Sequence, residues 1–132
     1  MVVDGFKHLV ALADECEAVF AIESTLSGPE HATLLKNIGS PRVAVYYAVA
    51  NATGNGYDAP AEMRALGRKI AMIHMKDTDG QHLGAGRVQL TECFAAIREI
   101  GYDGWLVLET PLGEDALKSA ARNLEFVRRY VN

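Results

Sequence analysis

What the chain has little of sets the first limits. Its 132 residues include two cysteines, and no apolar run approaches the roughly 18 residues needed to cross a bilayer. The opening Met1-Val2-Val3-Asp4-Gly5 lacks the charged-then-apolar pattern of a secretory signal. No basic block exists either. The formal charge is -4, with acidic and basic residues interspersed, so nothing resembles the positive stripe of a nucleic-acid footprint. Cys16 and Cys93 lie far apart in helix-like segments, without metal-type or redox-type spacing. They read as buried free thiols of a reducing compartment, with a disulfide between them left open. The expectation is a cytoplasmic protein with no membrane and no nucleic-acid partner. There is no linker and no shift of composition, so residues 1–132 read as a single domain, and 49% hydrophobic residues provide for a real core.

What is present is an unbroken alternation of helix-period and strand-like segments. Residues 4–17 carry Phe6, Leu9, Val10, Leu12 and Ala13 at helical spacing, with Asp4 as the expected cap. A short apolar run follows and ends in Glu23. Residues 29–37 open with Ser27-Gly28-Pro29 and close near Gly39-Ser40-Pro41, the Pro-in, Gly-out signature of a helix. Residues 43–49 are rich in β-formers, and a polar loop over 51–58 leads to a helix at 60–66 and a strand at 69–74. After a longer loop with Gly80, Gly84 and Gly86 come a helix over 90–100 with Thr91 near its cap, a strand over 105–109 and a helix over 115–131.

Continuous apolar strands separated by helices mean a parallel sheet covered by helices on at least one face. The strand-like runs end at Glu23, Ala48, His74 and Glu109, 25, 26 and 35 residues apart. An eight-unit α/β barrel of about 250 residues allots roughly 31 residues to each unit. The fold class expected is therefore α/β: four parallel βα units, half of a TIM (β/α)8 barrel. Four such units expose two sheet edges and the face that would line the barrel, so a homodimer or a complementary half-barrel is expected to complete them.

Alternation along a strand places Met72, His74 and Lys76 on one face, and Trp105, Val107 and Glu109 on one face of the last strand. If Glu23, His74 and Glu109 all point into the barrel mouth, two carboxylates and an imidazole converge. That set suits Zn, Mn or Co, and three ligands with open positions describe a catalytic site. Plainer readings stand beside it. Glu23 and Glu109 can be exposed strand-end carboxylates, and His74 a hydrogen-bonded structural histidine. Lys76 and Asp77 read equally as a solvated ion pair. Gly84-Ala85-Gly86 reads as a turn, because it follows a loop and does not open a helix directly after a strand as a dinucleotide fingerprint does. Trp105 and Tyr102 read as core, and His8, His31 and His82 as surface.

Five segments, taken in order, resemble one family: Ala21-Ile22-Glu23, residues 45–51, Ile73-His74-Met75-Lys76-Asp77, Leu83-Gly84-Ala85-Gly86-Arg87-Val88 and the run from Gly101 to Glu109. Together they look like the sugar phosphate isomerase/epimerase family of xylose-isomerase-like TIM barrels, a superfamily that includes endonuclease IV. The likeness covers nearly the whole chain and corresponds to the C-terminal half of the family's barrel, its fifth to eighth strands. It implies a divalent metal (Mn, Co, Zn or Mg) at positions matching Glu23, Ala48, His74 and Glu109. Ala48 departs from the pattern, since it stands where an Asp ligand is expected and a methyl group binds no cation, so the metal site is expected to be weakened. The likeness further implies Glu23 and Glu109 as catalytic acid and base, and Asn51 and Lys76 as substrate contacts for a sugar or sugar phosphate. Two readings follow: a metal-dependent sugar isomerase or epimerase, or an inactive truncated half-barrel that serves only as a self-associating or binding module. A nuclease would need more His and Asp ligands and a basic surface.

Overall fold

The computed structural model describes residues 2–131. Its elements are α1 (Val2–Glu15), β1 (Phe20–Ile22), α2 (Gly28–Ile38), β2 (Val43–Ala48), α3 (Val49–Gly54), α4 (Ala59–Leu66), β3 (Ile70–Met75), α5 (Leu90–Glu99), β4 (Trp105–Leu108) and α6 (Ala116–Val131). The four strands form one sheet in the order β1-β2-β3-β4, every pair parallel. Consecutive parallel neighbours joined through helices are the repeating unit of a TIM barrel, and four of them make half of one.

Period-two alternation divides the sheet into two faces. Val43, Val45 and Tyr47 of β2 and Ile70, Ile73 and Met75 of β3 are buried. Most of them share one core with Met63 and Leu66 of α4 and Phe94, Ala96 and Ile97 of α5. The intervening Ala44, Tyr46, Met72 and His74 turn to the opposite face, the side that lines the bore of a barrel. Between Val45 and Tyr46 the register slips by one: Val45 pairs with Ile70 but Tyr46 with Met72, which brings Ala48 beside His74.

Local chemistry fixes the helix ends. At the start of α2 the Glu30 carboxylate accepts from the Ser27 N–H at 2.8 Å and from the Ser27 hydroxyl at 2.7 Å. Gly39 ends the same helix with φ 74°, its N–H donating to the Leu35 carbonyl. Asp58 caps α4 by accepting from the Ala61 N–H at 3.0 Å. The loop after β3 is built around a buried carboxylate. Asp77 accepts from the N–H groups of Thr78, Gly84 and Val88 at 2.8, 2.9 and 3.1 Å. A Cβ on Gly86 would stand 2.1 Å from Asp77 Oδ1, so the backbone passes there only without a side chain. Asn123 of α6 holds the same loop, accepting from the Leu83 N–H at 2.9 Å.

Several expectations are corrected. The first helix begins at Val2, so Asp4 sits within its first turn and not at its cap. The polar loop expected over 51–58 begins later, because α3 leaves β2 directly and buries Val49, Ala50 and Ala52. The cap of α5 is Gln89; the Thr91 hydroxyl instead meets the Tyr130 hydroxyl at 3.2 Å. Both cysteines are free, but Cys16 is exposed just beyond α1, while Cys93 is buried in α5 and its thiol is pushed up to about 12 by that burial. His31 is buried, its Nε2 2.9 Å from the Ser24 hydroxyl and its Nδ1 3.1 Å from the Ser27 carbonyl, and burial lowers its pKa. His82 is half-buried, with Nδ1 3.0 Å from Asn123 Nδ2. Trp105 is 76% exposed, because it stands on the open face and not in the helix-covered core. Tyr102 does pack against that core.

Candidate metal centre

Strand ends deliver three side chains to one point. Glu23 follows β1 directly, and His74 occupies the penultimate position of β3 between Ala48 of β2 and Val107 of β4. Glu109 continues β4, its N–H donating to the Met75 carbonyl at 3.1 Å, so the ladder fixes its direction. His74 Nδ1 lies 3.2 Å from Glu23 Oε2 and 3.7 Å from Glu109 Oε2. One donor atom from each of the three residues lies within 4.8 Å of the others. Despite that proximity His74 Nδ1 is buried and makes no hydrogen bond. Glu109 Oε2 lies beyond hydrogen-bond reach, and Glu23 Oε2, though closer, does not form a hydrogen bond with it.

An unpaired buried nitrogen is costly unless something meets its lone pair. A cation between Nδ1 and the two Oε2 atoms meets all three at once, so the donor set fits a divalent metal. The alternative expectation of a hydrogen-bonded structural histidine finds no support at Nδ1. Ala48 is buried beside His74 and offers only a methyl group there.

Around these three stand the other expected residues. Asn51, on α3, donates from Nδ2 to Glu23 Oε1 at 3.3 Å. Lys76 donates from Nζ to Glu109 Oε1 at 2.5 Å. The expected Lys76–Asp77 ion pair is therefore not formed, since the two side chains leave the strand end on opposite sides: Lys76 towards the mouth, Asp77 into the loop core. One further neighbour is not marked by any sequence motif. Tyr46 lays its ring against His74, with centroids 4.0 Å apart at 33°. Its position two residues before Ala48 on the same strand was the available signal. Desolvation first, then the Glu23 and Glu109 charges, raise the Tyr46 pKa, so it meets the site as a neutral phenol.

Comparison with known proteins gives the family. The family described as xylose isomerase-like TIM barrel matches residues 1–130. The chain belongs to that family. Among curated relatives of this xylose isomerase-like chain, the uncharacterised protein MJ1311 of Methanocaldococcus jannaschii is 30% identical over 65% of this chain and 32% of its own. L-ribulose-5-phosphate 3-epimerase UlaE of Escherichia coli K12 is 25% identical over 95% of this chain and 48% of its own. The chain thus spans about a third to a half of these relatives' length. The solved 3-keto-D-glucoside 4-epimerase YcjR of Escherichia coli is 15% identical and superposes with a TM-score of 0.87 over 98% of this chain and 52% of that one, a likeness of fold alone. Among the described residues, no helix is long and apolar enough to cross a membrane.

Proposed function

We propose that the chain carries the metal-binding half of a sugar or sugar-phosphate isomerase or epimerase, with Glu23, His74 and Glu109 as ligands of a divalent cation (Mn, Co, Zn or Mg). The observation that carries this reading is the buried, unpartnered Nδ1 of His74 between two carboxylate oxygens. Carboxylate oxygen with neutral imidazole suits cations of intermediate hardness. Such an ion, when bound, supplies Lewis-acid polarisation of a substrate's carbonyl and hydroxyl oxygens. Glu23 and Glu109 arrive from the two edge strands, so one takes the proton from the carbon beside the carbonyl and the other returns one. Asn51 and Lys76 border the mouth, where their remaining polar groups can meet substrate oxygens. The likeness to the L-ribulose-5-phosphate 3-epimerase UlaE supports a sugar phosphate as the substrate class. Four further strands, supplied by a second copy or a complementary half-barrel, close the site on this reading.

Ala48 favours a second reading, an inactive half-barrel that acts as a self-associating or binding module. Calorimetric titration with Mn, Co and Zn tests the first. Wild type is expected to bind, and His74→Ala to lose roughly tenfold or more in affinity, the range set by losing one donor or its support. Absence of binding by wild type sinks the metal site. Solvent deuterium then separates the two readings: its incorporation beside the carbonyl of a ketopentose phosphate marks an enzyme, and none with metal bound marks the module.

A further inference from the structure

The two carboxylates of the candidate centre are held in the same way by different residues. Each has one oxygen, Oε2, turned towards His74 Nδ1 at 3.2 Å for Glu23 and 3.7 Å for Glu109. Each has its other oxygen, Oε1, occupied by a nitrogen donor that belongs to neither the strand nor the partner carboxylate: Asn51 Nδ2 at 3.3 Å on Glu23 and Lys76 Nζ at 2.5 Å on Glu109. The geometry points to Asn51 and Lys76 as positioning residues that grip the outer oxygens of Glu23 and Glu109, fixing each as a one-oxygen ligand with its inner oxygen aimed at the cation. This rests on the metal reading above and assigns a role distinct from substrate contact.

The physical case is one of directional freedom. A glutamate has three rotatable bonds, and at strand ends as exposed as these, with side chains 36% and 45% accessible, nothing in the packing alone fixes the last torsion. A donor on the outer oxygen does so, and outer-shell donors of this kind commonly change metal affinity by about 10- to 100-fold. Both donors sit on rigid supports. Asn51 is in α3, which leaves β2 without an intervening loop, and Lys76 follows β3 by one residue. Neither role uses up its residue. Lys76 has two further N–H donors and Asn51 keeps its carbonyl oxygen, so each can grip a carboxylate and still meet a substrate.

Charge has to be separated from grip, because the Lys76 ammonium also repels a cation. Asn51→Leu removes a donor without changing charge. Lys76→Gln and Lys76→Met are both neutral and differ chiefly in whether a donor remains. Co titrations followed by visible absorption and by calorimetry are expected to show Asn51→Leu binding at least about tenfold more weakly than wild type, with an altered ligand-field spectrum. Lys76→Gln is expected to bind several-fold more tightly than Lys76→Met. Asn51→Ser is the second variant should the leucine fail to fold, and melting of the metal-free variants close to wild type excludes a merely structural effect. Wild-type binding with unchanged affinity and spectrum in Asn51→Leu, or equal affinities for the two Lys76 variants, overturns the positioning role alone. No binding by wild type overturns the metal site and this role with it.

Discussion

At position 48 a methyl group stands where the resemblance expects a carboxylate. Ala48 is 5% exposed and lies beside His74 across the β2–β3 ladder, so a side chain there has little water to retreat into. Ala48→Asp is expected to place a third acidic group against Glu23 and Glu109. Without metal, desolvation and like-charge repulsion should lower stability by several kcal/mol at most, the scale of an incompletely paired buried charge. With Mn, Co or Zn the order should reverse: the variant gains more in melting temperature than wild type, because a fourth ligand binds only the folded state. Thermal melts with and without metal read this directly, and equal responses in the two proteins would remove position 48 from the site. Other residue-scale features were beyond the sequence for a different reason. Nothing local distinguishes buried His31 from exposed His8. The difference comes from Ser24 and Ser27 folding over His31 to satisfy both ring nitrogens.

At the scale of elements, the loop between β3 and α5 shows how much a short motif can and cannot say. Its glycines were legible as a turn, but the carboxylate they wrap was not, because Asp77 reaches partners one, seven and eleven residues onward. Asp77→Ala would leave three backbone N–H groups without that acceptor, at about 1–3 kcal/mol for each one that stays buried. The expected loss is at least ~3 kcal/mol, seen as a lower urea midpoint, with Asp77→Asn in between because one acceptor oxygen remains. A midpoint equal to wild type would show that the loop does not depend on this hub. The segment after β2 departs from its local signals for a complementary reason. Asn51, Gly54, Asn55 and Gly56 have turn chemistry, yet Val49, Ala50 and Ala52 are buried, and burial of that face overrides the weak helix propensity of its neighbours.

For the whole molecule the decisive feature is the face left open. Each edge strand, β1 and β4, has one ladder neighbour among the described residues, and Trp105 stands 76% exposed beside half-buried Val107, Met72 and Tyr46. A twofold along the barrel axis would set β4 of one copy against β1 of the other in the parallel sense and close eight strands. Light scattering at micromolar concentration is therefore expected to give twice the mass of one chain, and Trp105→Glu, which puts a charge on that face, to give the single mass. A monomeric wild type would overturn the second-copy arrangement and leave a complementary half-barrel as the cover. The sequence by itself determined the parallel βα alternation and the strand-end positions of Glu23, His74 and Glu109, because apolar periodicity and residue chemistry are local, while Ala48 stands at an expected ligand position only as the family resemblance implies. Only the tertiary structure decided that those three meet around an unpaired Nδ1, that Asn51 and Lys76 grip the carboxylates and that Tyr46 backs the imidazole. Those contacts join segments far apart in the chain, and a β2–β3 register slip that local periodicity does not encode sets Tyr46 and Ala48 beside His74.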